Sequence, residues 1–222
     1  MSSPSEYFAT RFTSDPQREI LWRVLWEDVF RGWVSPEDCV LELGAGYGHF
    51  INQVRSRRRI ALDVWDEFVH YLAPGVEAHV GPVTDLSFLE PRSVDFAFAS
   101  NLFEHITQDE LASVLQQLRE KLTHGGTLNI VQPNYRYCSR EYFDDYTHKT
   151  IYSHVSLCDF LEAHGFEVID ARPRFLPLTI KSRLPVWPVL IRMYLLSPWK
   201  VMGKQMLIRA RPAVRVAPAA RP

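Results

Sequence analysis

One short apolar run in this chain is followed at once by three closely spaced glycines. The run is Cys39–Leu43, and the glycines are Gly44, Gly46 and Gly48. An apolar segment of this length predicts a buried β-strand. Glycines directly after it supply the unusual dihedrals and close approach that a chain needs when it turns against a ligand. We therefore expect a central strand whose carboxyl end carries a binding loop.

Strand and helix patterns alternate along the rest of the chain. Further strands are predicted over residues 59–63, 77–80, 94–100, 127–131, 166–169 and 205–209. Helices are predicted from Asp15-Pro16 to near Gly32, over residues 50–55, from a capping box at 107–110 to Gly125-Gly126, and over residues 155–164. Such alternation predicts an α/β fold, a doubly wound parallel sheet with helices on both faces, which binds ligands at the carboxyl ends of its strands.

Length and composition favour a single domain. The chain has 222 residues, 46% of them hydrophobic, enough for a sizeable core. We interpret residues 1–211 as one domain, with an N-terminal helical cap (1–37), a Tyr-rich acceptor loop (133–153), a basic, apolar, Pro-rich excursion (171–204) and a flexible tail (212–222). Three cysteines without CxxC spacing argue against a disulfide framework or structural zinc, and the polar start carries no secretory signal, so we expect a cytoplasmic protein.

The charges are distributed unevenly along the chain. All 26 acidic residues lie at or before Asp170, whereas 11 of the 25 Lys and Arg residues follow it. The excursion is also apolar, in runs too short for a membrane span, which needs about 20 residues. It predicts peripheral contact with the inner membrane surface or with an anionic lipid-linked substrate, the alternative being an excursion that packs on the domain. The acidic first 170 residues argue against nucleic acid as a partner.

Three predicted strand ends carry groups suited to an adenosine. Asp63 ends the second strand, where a carboxylate can accept hydrogen bonds from two ribose hydroxyls. Asp85 and Leu86 follow the third strand, where the carboxylate can accept from the adenine amino group and the Leu86 amide can donate to the ring. A dinucleotide fold is the alternative, but it uses GxGxxG, and Glu42 ahead of these glycines would repel phosphates.

The segment Glu42-Leu-Gly44-Ala45-Gly46-Tyr-Gly48 resembles the glycine motif of class I S-adenosylmethionine-dependent methyltransferases, and the resemblance covers roughly residues 38–131. It implies S-adenosylmethionine as cofactor and a Rossmann-like seven-stranded sheet, mostly parallel with the last strand antiparallel. The glycine loop would lie against the methionine moiety, Glu42 would fix its amino group, and Asp63 would hold the ribose.

The resemblance continues after the third and fourth strands. Asp85 would face the adenine, since Pro82 stands where many relatives carry an acid. Asn101, in Ser100-Asn-Leu-Phe-Glu-His105, matches the segment that commonly closes over the methionyl group.

Transfer to a hydroxyl oxygen also requires removal of its proton. His105 follows the fourth strand, and the segment 142–148 follows the fifth, where an acceptor would sit. Histidine titrates near neutrality, and an adjacent carboxylate can orient it. We therefore predict His105, Asp145 and His148 as catalytic residues. The alternatives are a solvated polar loop and a metal held by Asp144, Asp145 and His148, which lacks a fourth ligand; we expect no metal.

Residues 132–157, 174–177 and 181–182 resemble a bacterial methyltransferase subgroup often associated with surface polysaccharide or glycolipid biosynthesis. That resemblance implies O-methylation of a sugar or glycolipid hydroxyl, so that the acceptor is a small molecule or a glycan. A natural-product-like or quinone-like acceptor and a noncatalytic cofactor-binding scaffold are the alternatives. The sequence leaves open whether the protein is a homodimer.

Overall fold

The computed structural model describes residues 16–178 and 187–213. At its centre lies one seven-stranded sheet, formed by β1 (Cys39–Leu43), β2 (Arg58–Asp63), β3 (Val76–Val80), β4 (Val94–Ser100), β5 (Leu122–Pro133), β6 (Phe166–Leu176) and β7 (Gln205–Pro212). The strand order is β3-β2-β1-β4-β5-β7-β6. Strands β1 to β5 pair in parallel, and β7 runs antiparallel between β5 and β6. The predicted α/β fold with an antiparallel last strand is confirmed.

Five α-helices accompany the sheet in the described part of the chain: α1 (Pro16–Leu25), α2 (Gln108–Lys121), α3 (Tyr135–Cys138), α4 (His154–Ala163) and α5 (Pro188–Leu196). A π-helix (Trp26–Phe30) and a 3₁₀ turn (Arg31–Trp33) continue α1. The predicted capping box begins α2, because the Thr107 hydroxyl accepts from the Glu110 N–H and the Glu110 carboxylate accepts from the Thr107 N–H. Asp15, the predicted N-cap of α1, lies outside the described residues.

The core has two halves, one on each face of the sheet. Successive residues of a strand point to opposite faces, so Leu41 and Leu43 join the cluster under α2 and α4, while Val40 joins the cluster under α1. The α1 side is rich in aromatic rings, with Phe50 and Phe98 stacked 4.0 Å apart between centroids. Both faces of β1 are therefore buried, which fixes the position of its carboxyl end.

The predicted helix over residues 50–55 is wrong, since turns occupy residues 46–53. Gly46 and Gly48 have φ angles of +50° and +65°, which no right-handed helix contains. The Ile51 N–H donates to Glu42 Oε2 at 3.0 Å, and the Gln53 and Val54 N–H groups donate to the carbonyls three residues before them at 2.9 and 3.2 Å, as in turns. The segment is thus shaped by the binding loop before it, which its own periodicity could not indicate.

Several predicted boundaries are also corrected. Helix α2 ends at Lys121, and Gly125-Gly126 lie inside β5. Strands β6 and β7 extend to Leu176 and Pro212 because each pairs with the other along its length. Residues 171–176 therefore belong to the sheet, and the excursion is the segment 177–204, which contains α5. Residues 179–186 of that segment, including Lys181 and Ser182, lie outside the described residues, as does the predicted tail from 214 onward.

Two adjacent glycines of β5 provide a test of how tightly the sheet is packed. A Cβ at Gly126 would lie 2.8 Å from the Val94 carbonyl oxygen and 3.0 Å from the Thr123 nitrogen, whereas a Cβ at Gly125 would meet nothing within 4 Å. We expect Gly126→Ala to lower the free energy of unfolding by about 1–3 kcal/mol, because backbone must move. Gly125→Ala should change it by less than about 1 kcal/mol. Urea denaturation followed by circular dichroism measures both, and equal effects would contradict this packing.

Candidate active site

The carboxyl ends of β1, β2 and β4 meet at one edge of the sheet, and the glycine loop lies across it. The Gly44 and Ala45 N–H groups donate to the Leu62 carbonyl at 2.8 and 3.1 Å, so the loop is anchored on β2. Gly44 has a φ of +66°, and a Cβ there would lie 2.9 Å from Leu102 Cδ1. The loop thus has the positive φ and close approach that the sequence predicted, and the segment after β4 covers it.

Asp63 stands at the end of β2 with only 5% of its surface exposed. Its Oδ2 accepts from the Gly46 N–H at 2.7 Å, and its Oδ1 accepts from the Trp65 N–H at 2.9 Å. Burial raises the pKa of Asp63, although these N–H donors oppose the rise. Each carboxylate oxygen can accept a further hydrogen bond, so Asp63 can hold the loop and still bind two ligand hydroxyls.

Glu42 lies at the end of β1, 4% exposed, beneath the same loop. Burial raises its pKa well above the ordinary value, nearby Asp63 adds to the rise, and the Ile51 N–H opposes it. A desolvated carboxylate of this kind gains most from a cationic partner. The two acids, Glu42 and Asp63, therefore form a site suited to a ligand that brings positive charge.

The predicted adenine end is less complete. Asp85 is exposed, its Oδ1 accepts from the Ser87 N–H at 3.0 Å, and hydrogen bonds from Ser87 lower its pKa. The Leu86 N–H donates to Gln117 Oε1 at 2.8 Å. The Leu86 amide is thus already used within the fold, and the prediction that it is available to an adenine ring is corrected for this structure.

Asn101 turns the chain at the end of β4 with a positive φ of 49°, uncommon outside glycine. Its N–H donates to the Val131 carbonyl at 2.8 Å, and its Oδ1 accepts from Gln205 Nε2 at 3.3 Å. The turn is held by β5 and by the first residue of β7. It places Leu102 on Gly44 and starts the 3₁₀ turn Phe103–His105.

That turn brings two further groups into the site, Glu104 and His105. Glu104 has no exposed surface, and neither carboxylate oxygen has a hydrogen-bond partner in the part of the chain that the structure describes. Burial raises the pKa of Glu104 to about 8. Burial and the neighbouring His148 lower the pKa of His105 to about 4, so its imidazole is neutral at pH 7.

The acceptor loop supplies the rest of this cluster. Thr147 Oγ1 donates to Asp145 Oδ1 at 2.6 Å and lies 2.9 Å from His105 Nδ1. Because the Thr147 proton is directed to Asp145, Thr147 accepts from the His105 Nδ1–H, which leaves the lone pair on Nε2. The ring centroids of His105 and His148 are 4.8 Å apart. The structure thus brings His105, Asp145 and His148 together, with Asp145 reaching His105 through Thr147.

Part of the acceptor loop is buried against the site, although Phe143, Asp144 and Tyr146 are exposed. Tyr142 has no exposed surface, its ring centroid lies 4.5 Å from that of His148, and its hydroxyl donates to the Thr150 carbonyl at 2.5 Å. Gln132, at the end of β5, is also fully buried, with neither amide atom hydrogen-bonded among the described residues. The sequence analysis missed Glu104, Gln132 and Thr147, whose only signal is their position beside His105, β5 and His148.

The excursion borders this cluster because β7 begins at the carboxyl edge of the sheet. Lys204 Nζ lies 2.5 Å from Glu141 Oε1, and the Asn134 N–H donates to the Lys204 carbonyl at 2.8 Å. Beside α5 lies a cavity of about 490 Å³ lined by Asp28, Val29, Arg172, Arg174, Phe175, Arg192, Leu195, Leu196 and Lys200. Large apolar side chains nearby are exposed, namely Trp187, Val189, Leu190, Met193, Leu196, Trp199, Val201 and Met202. Within the described ranges, no helix has the length and apolar character that crossing a membrane requires.

Comparison with known proteins finds similarity to methyltransferases. Residues 40–126 match the family described as Methyltransferase domain. A methyltransferase from Haloferax volcanii, solved in complex with the Trm112 methyltransferase activator, is 18% identical with a TM-score of 0.72, over 96% of this chain and 100% of that chain. A SAM-dependent methyltransferase from Archaeoglobus fulgidus is 20% identical with a TM-score of 0.68, over 94% and 99%. A geranyl diphosphate methyltransferase in complex with SAM is 16% identical with a TM-score of 0.59, over 89% and 85%. Among curated proteins, none is significantly similar to this chain.

Residues 40–126 thus match a methyltransferase domain, and the described chain has the fold of solved S-adenosylmethionine-dependent methyltransferases. S-adenosylmethionine is therefore its cofactor. The matched family region begins inside β1 and ends inside β5, so it contains the glycine loop, Asp63 and the turn Phe103–His105. The acceptor loop and the excursion lie beyond the matched region.

The raised pKa of Glu42 predicts how its substitution changes the free energy of unfolding of the cofactor-free protein with pH. Its pKa is raised in the folded state above the ordinary 4.5, so its ionisation opposes folding above that pH and costs nothing below it. We expect Glu42→Gln to raise the free energy of unfolding at pH 8 and the gain to disappear near pH 4. Urea denaturation across this pH range measures it.

Glu77 provides the matched control on strand β3, which is separated from the strand of Glu42 by β2. Its hydrogen bonds and ion pair with Arg58 lower its pKa, so the carboxylate favours the folded state and Glu77→Gln should give no gain at pH 8. A Glu42→Gln variant that is destabilised at pH 8 to the same extent as Glu77→Gln would contradict the desolvation argument.

Proposed function

We propose that this methyltransferase transfers the methyl group to a hydroxyl oxygen of a sugar or glycolipid. The observation that carries the proposal is the cluster of Glu104, His105, Asp145 and His148, which lies beside the glycine loop and is buried by the acceptor loop. A hydroxyl is a weak nucleophile until its proton is removed, and the groups of this cluster are of the types able to remove it. Bound S-adenosylmethionine supplies an electrophilic methyl group on a cationic sulfonium.

The cofactor side follows from the residues that form it. The glycine loop, from Gly44 through Ala45 and Gly46 to Gly48, provides a cradle that side chains would fill. Glu42 would bind the methionyl ammonium, whose charge offsets the desolvation of the carboxylate. Asp63 would accept from the ribose hydroxyls, Asp85 would face the adenine, and Asn101 would close over the methionyl group.

On the acceptor side, hydrogen bonds fix the orientation and the tautomer of His105. Asp145 orients it through Thr147, and in this tautomer Nε2 is the ring nitrogen that can accept the hydroxyl proton or bind a cation that acidifies the hydroxyl. His148 lies against His105 and Tyr142, so the two imidazoles and the phenol ring form one wall of the acceptor site.

The excursion favours an acceptor that is anionic and lipid-linked. Its exposed apolar side chains lie beside Arg174 and Lys200, and no acidic residue follows Asp170 in the sequence. A surface of this kind suits the interface of a membrane that contains anionic lipids. We propose that it brings the carboxyl edge of the sheet to the inner membrane surface of the cell, where such acceptors are held.

Detection of S-adenosylhomocysteine on incubation with S-adenosylmethionine and sugar or glycolipid acceptors tests the function. We expect product to form with an acceptor that has a free hydroxyl and not with the same acceptor methylated at that oxygen. Turnover confined to amine or thiol acceptors would overturn the proposal.

Asp63→Ala tests the cofactor side. Losing the charged acceptor of the ribose hydroxyls should weaken S-adenosylhomocysteine binding by about 1–3 kcal/mol, roughly 5- to 150-fold, by calorimetric titration. Asp66→Ala removes an exposed carboxylate in the 3₁₀ helix Asp66–Tyr71 and should leave binding unchanged. Equal affinity in the Asp63 variant and the unaltered protein would remove Asp63 from the cofactor site.

Vesicle sedimentation tests the excursion. We expect salt-sensitive binding to vesicles of phosphatidylcholine mixed with phosphatidylglycerol and weaker binding to phosphatidylcholine alone. Leu196→Ser with Trp199→Ser, which are 84% and 80% exposed, should weaken this binding at least tenfold, because each large apolar side chain contributes about 1.5–3 kcal/mol when it enters an apolar phase.

The control for that experiment is Val80→Ser with Ile169→Ser, which are exposed apolar residues on β3 and β6. These substitutions should leave vesicle binding unchanged. Sedimentation that is insensitive to salt, or equal in the two double variants, would contradict a membrane role for the excursion.

A further inference from the structure

We propose that Glu104, His105 and His148 bind one divalent transition-metal ion, of the zinc class, at the acceptor side of the methyltransferase. The proposal deepens the function proposed above and rests on it for the role of the ion, although not for the site itself. Two imidazoles and one carboxylate form a ligand set that such ions accept. The sequence analysis expected no metal and considered only Asp144, Asp145 and His148 as an alternative.

The first observation is the spacing of the three side chains. One ligand-type atom from each of Glu104, His105 and His148 lies within 4.8 Å of the others. Ligand atoms at about 2.0–2.2 Å from a tetrahedral ion are roughly 3.3–3.6 Å apart. A contraction of about 1 Å, within the reach of side-chain torsions, would therefore bring all three to one ion.

The second observation is the state of Glu104. Its side chain is fully buried, and both carboxylate oxygens are without a hydrogen-bond partner among the residues that the structure describes. An unpartnered buried carboxyl group is costly. The Glu104 carbonyl accepts from the Lys149 and Thr150 N–H groups at 2.8 and 3.1 Å, which explains why this position is buried. These backbone bonds do not explain why the side chain at this position carries a carboxyl group. A cation bound at the carboxylate accounts for a glutamate at this position.

The third observation is the support behind His105. Its Nδ1 is bonded to Thr147, which is bonded in turn to Asp145. Histidine ligands of metals are held in this way by a carboxylate or a relayed hydrogen bond from the other ring nitrogen, which fixes the tautomer and the ring orientation. Asp145 thus acts as a positioning residue, and we expect Nε2 of His105 to be the nitrogen that binds the ion.

The place of the cluster suggests the role of the ion. Three protein ligands leave coordination positions for an acceptor, as in catalytic and not structural sites. An ion there would bind the acceptor hydroxyl and lower its pKa, so that the proton passes to water. The oxygen would then form the new bond to the methyl carbon while the bond from that carbon to sulfur breaks, which releases S-adenosylhomocysteine. The turn that carries Glu104 and His105 also carries Leu102, which lies on Gly44. The ion and the cofactor loop would therefore share one support.

Metal binding to the untagged, full-length, chelator-stripped protein tests the site. We expect calorimetric titration with ZnCl₂ to show one ion per chain with micromolar or tighter affinity, and CoCl₂ to give the visible absorption of a low-symmetry Co²⁺ site. Glu104→Gln and His148→Ala should each weaken Zn²⁺ binding at least 100-fold. Either variant suffices if the other fails to fold, as judged by circular dichroism and S-adenosylhomocysteine binding.

Two variants serve as controls. His70→Gln removes an exposed histidine, and Asp144→Asn removes an exposed acid four residues before His148; both should bind Zn²⁺ like the unaltered protein. Absence of Zn²⁺ and Co²⁺ binding, binding equally strong in Glu104→Gln and His148→Ala, or loss of binding in Asp144→Asn alone would each overturn the site.

The test separates the site from the proposed function. Zn²⁺ binding that depends on Glu104 and His148, in a protein that methylates no hydroxyl, supports the site and overturns the function. Hydroxyl methylation that continues undiminished in the chelator-stripped protein, checked for residual metal, supports the function and overturns the role of the ion in it.

Discussion

The hydrogen bond from the Gly46 N–H to Asp63 is the contact on which the arrangement of the site depends. It joins the loop after β1 to the end of β2, and the Gly44 and Ala45 N–H groups reinforce it through the Leu62 carbonyl. The positive φ angles of the loop are kept only because these bonds and the buried strands around them hold it. Leu102 then rests on Gly44, which places Glu104 and His105 directly beyond the cofactor loop.

The features that sequence could predict are those fixed by local chemistry. The run Cys39–Leu43 is a strand because it is buried on both faces, and Val94–Ser100 is a strand with the predicted bounds. The capping box at Thr107 fixes the start of α2 through two bonds within four residues. The glycine loop could be predicted because its positive φ angles require glycine, whatever residues lie around it.

The features that escaped prediction depend on contacts between distant segments. The predicted helix over residues 50–55 is replaced by turns, and the Ile51 N–H at their start is bonded to Glu42, nine residues before. Strand β6 continues to Leu176 because β7 pairs with it, and the Leu86 amide is occupied because Gln117 of α2 lies opposite. The sequence predicted His105, Asp145 and His148 as catalytic residues from their chemistry. The contacts of Thr147 with His105, 42 residues apart, and of the acceptor loop with Glu104 depend on how that loop folds back onto the site.

Both halves of the site are built on a buried carboxyl group, Glu42 on the cofactor side and Glu104 on the acceptor side. Burial raises the pKa of each, so each ionises within the fold only at the expense of stability. A structure that keeps two such groups is less stable than one with apolar residues in their place, and functional sites are where proteins retain that kind of cost. On one side the compensating charge arrives with the cofactor. On the other side, both oxygens of the buried Glu104 lack a hydrogen-bond partner among the described residues and lie near His105 and His148, which is the geometric reason to expect a cation there.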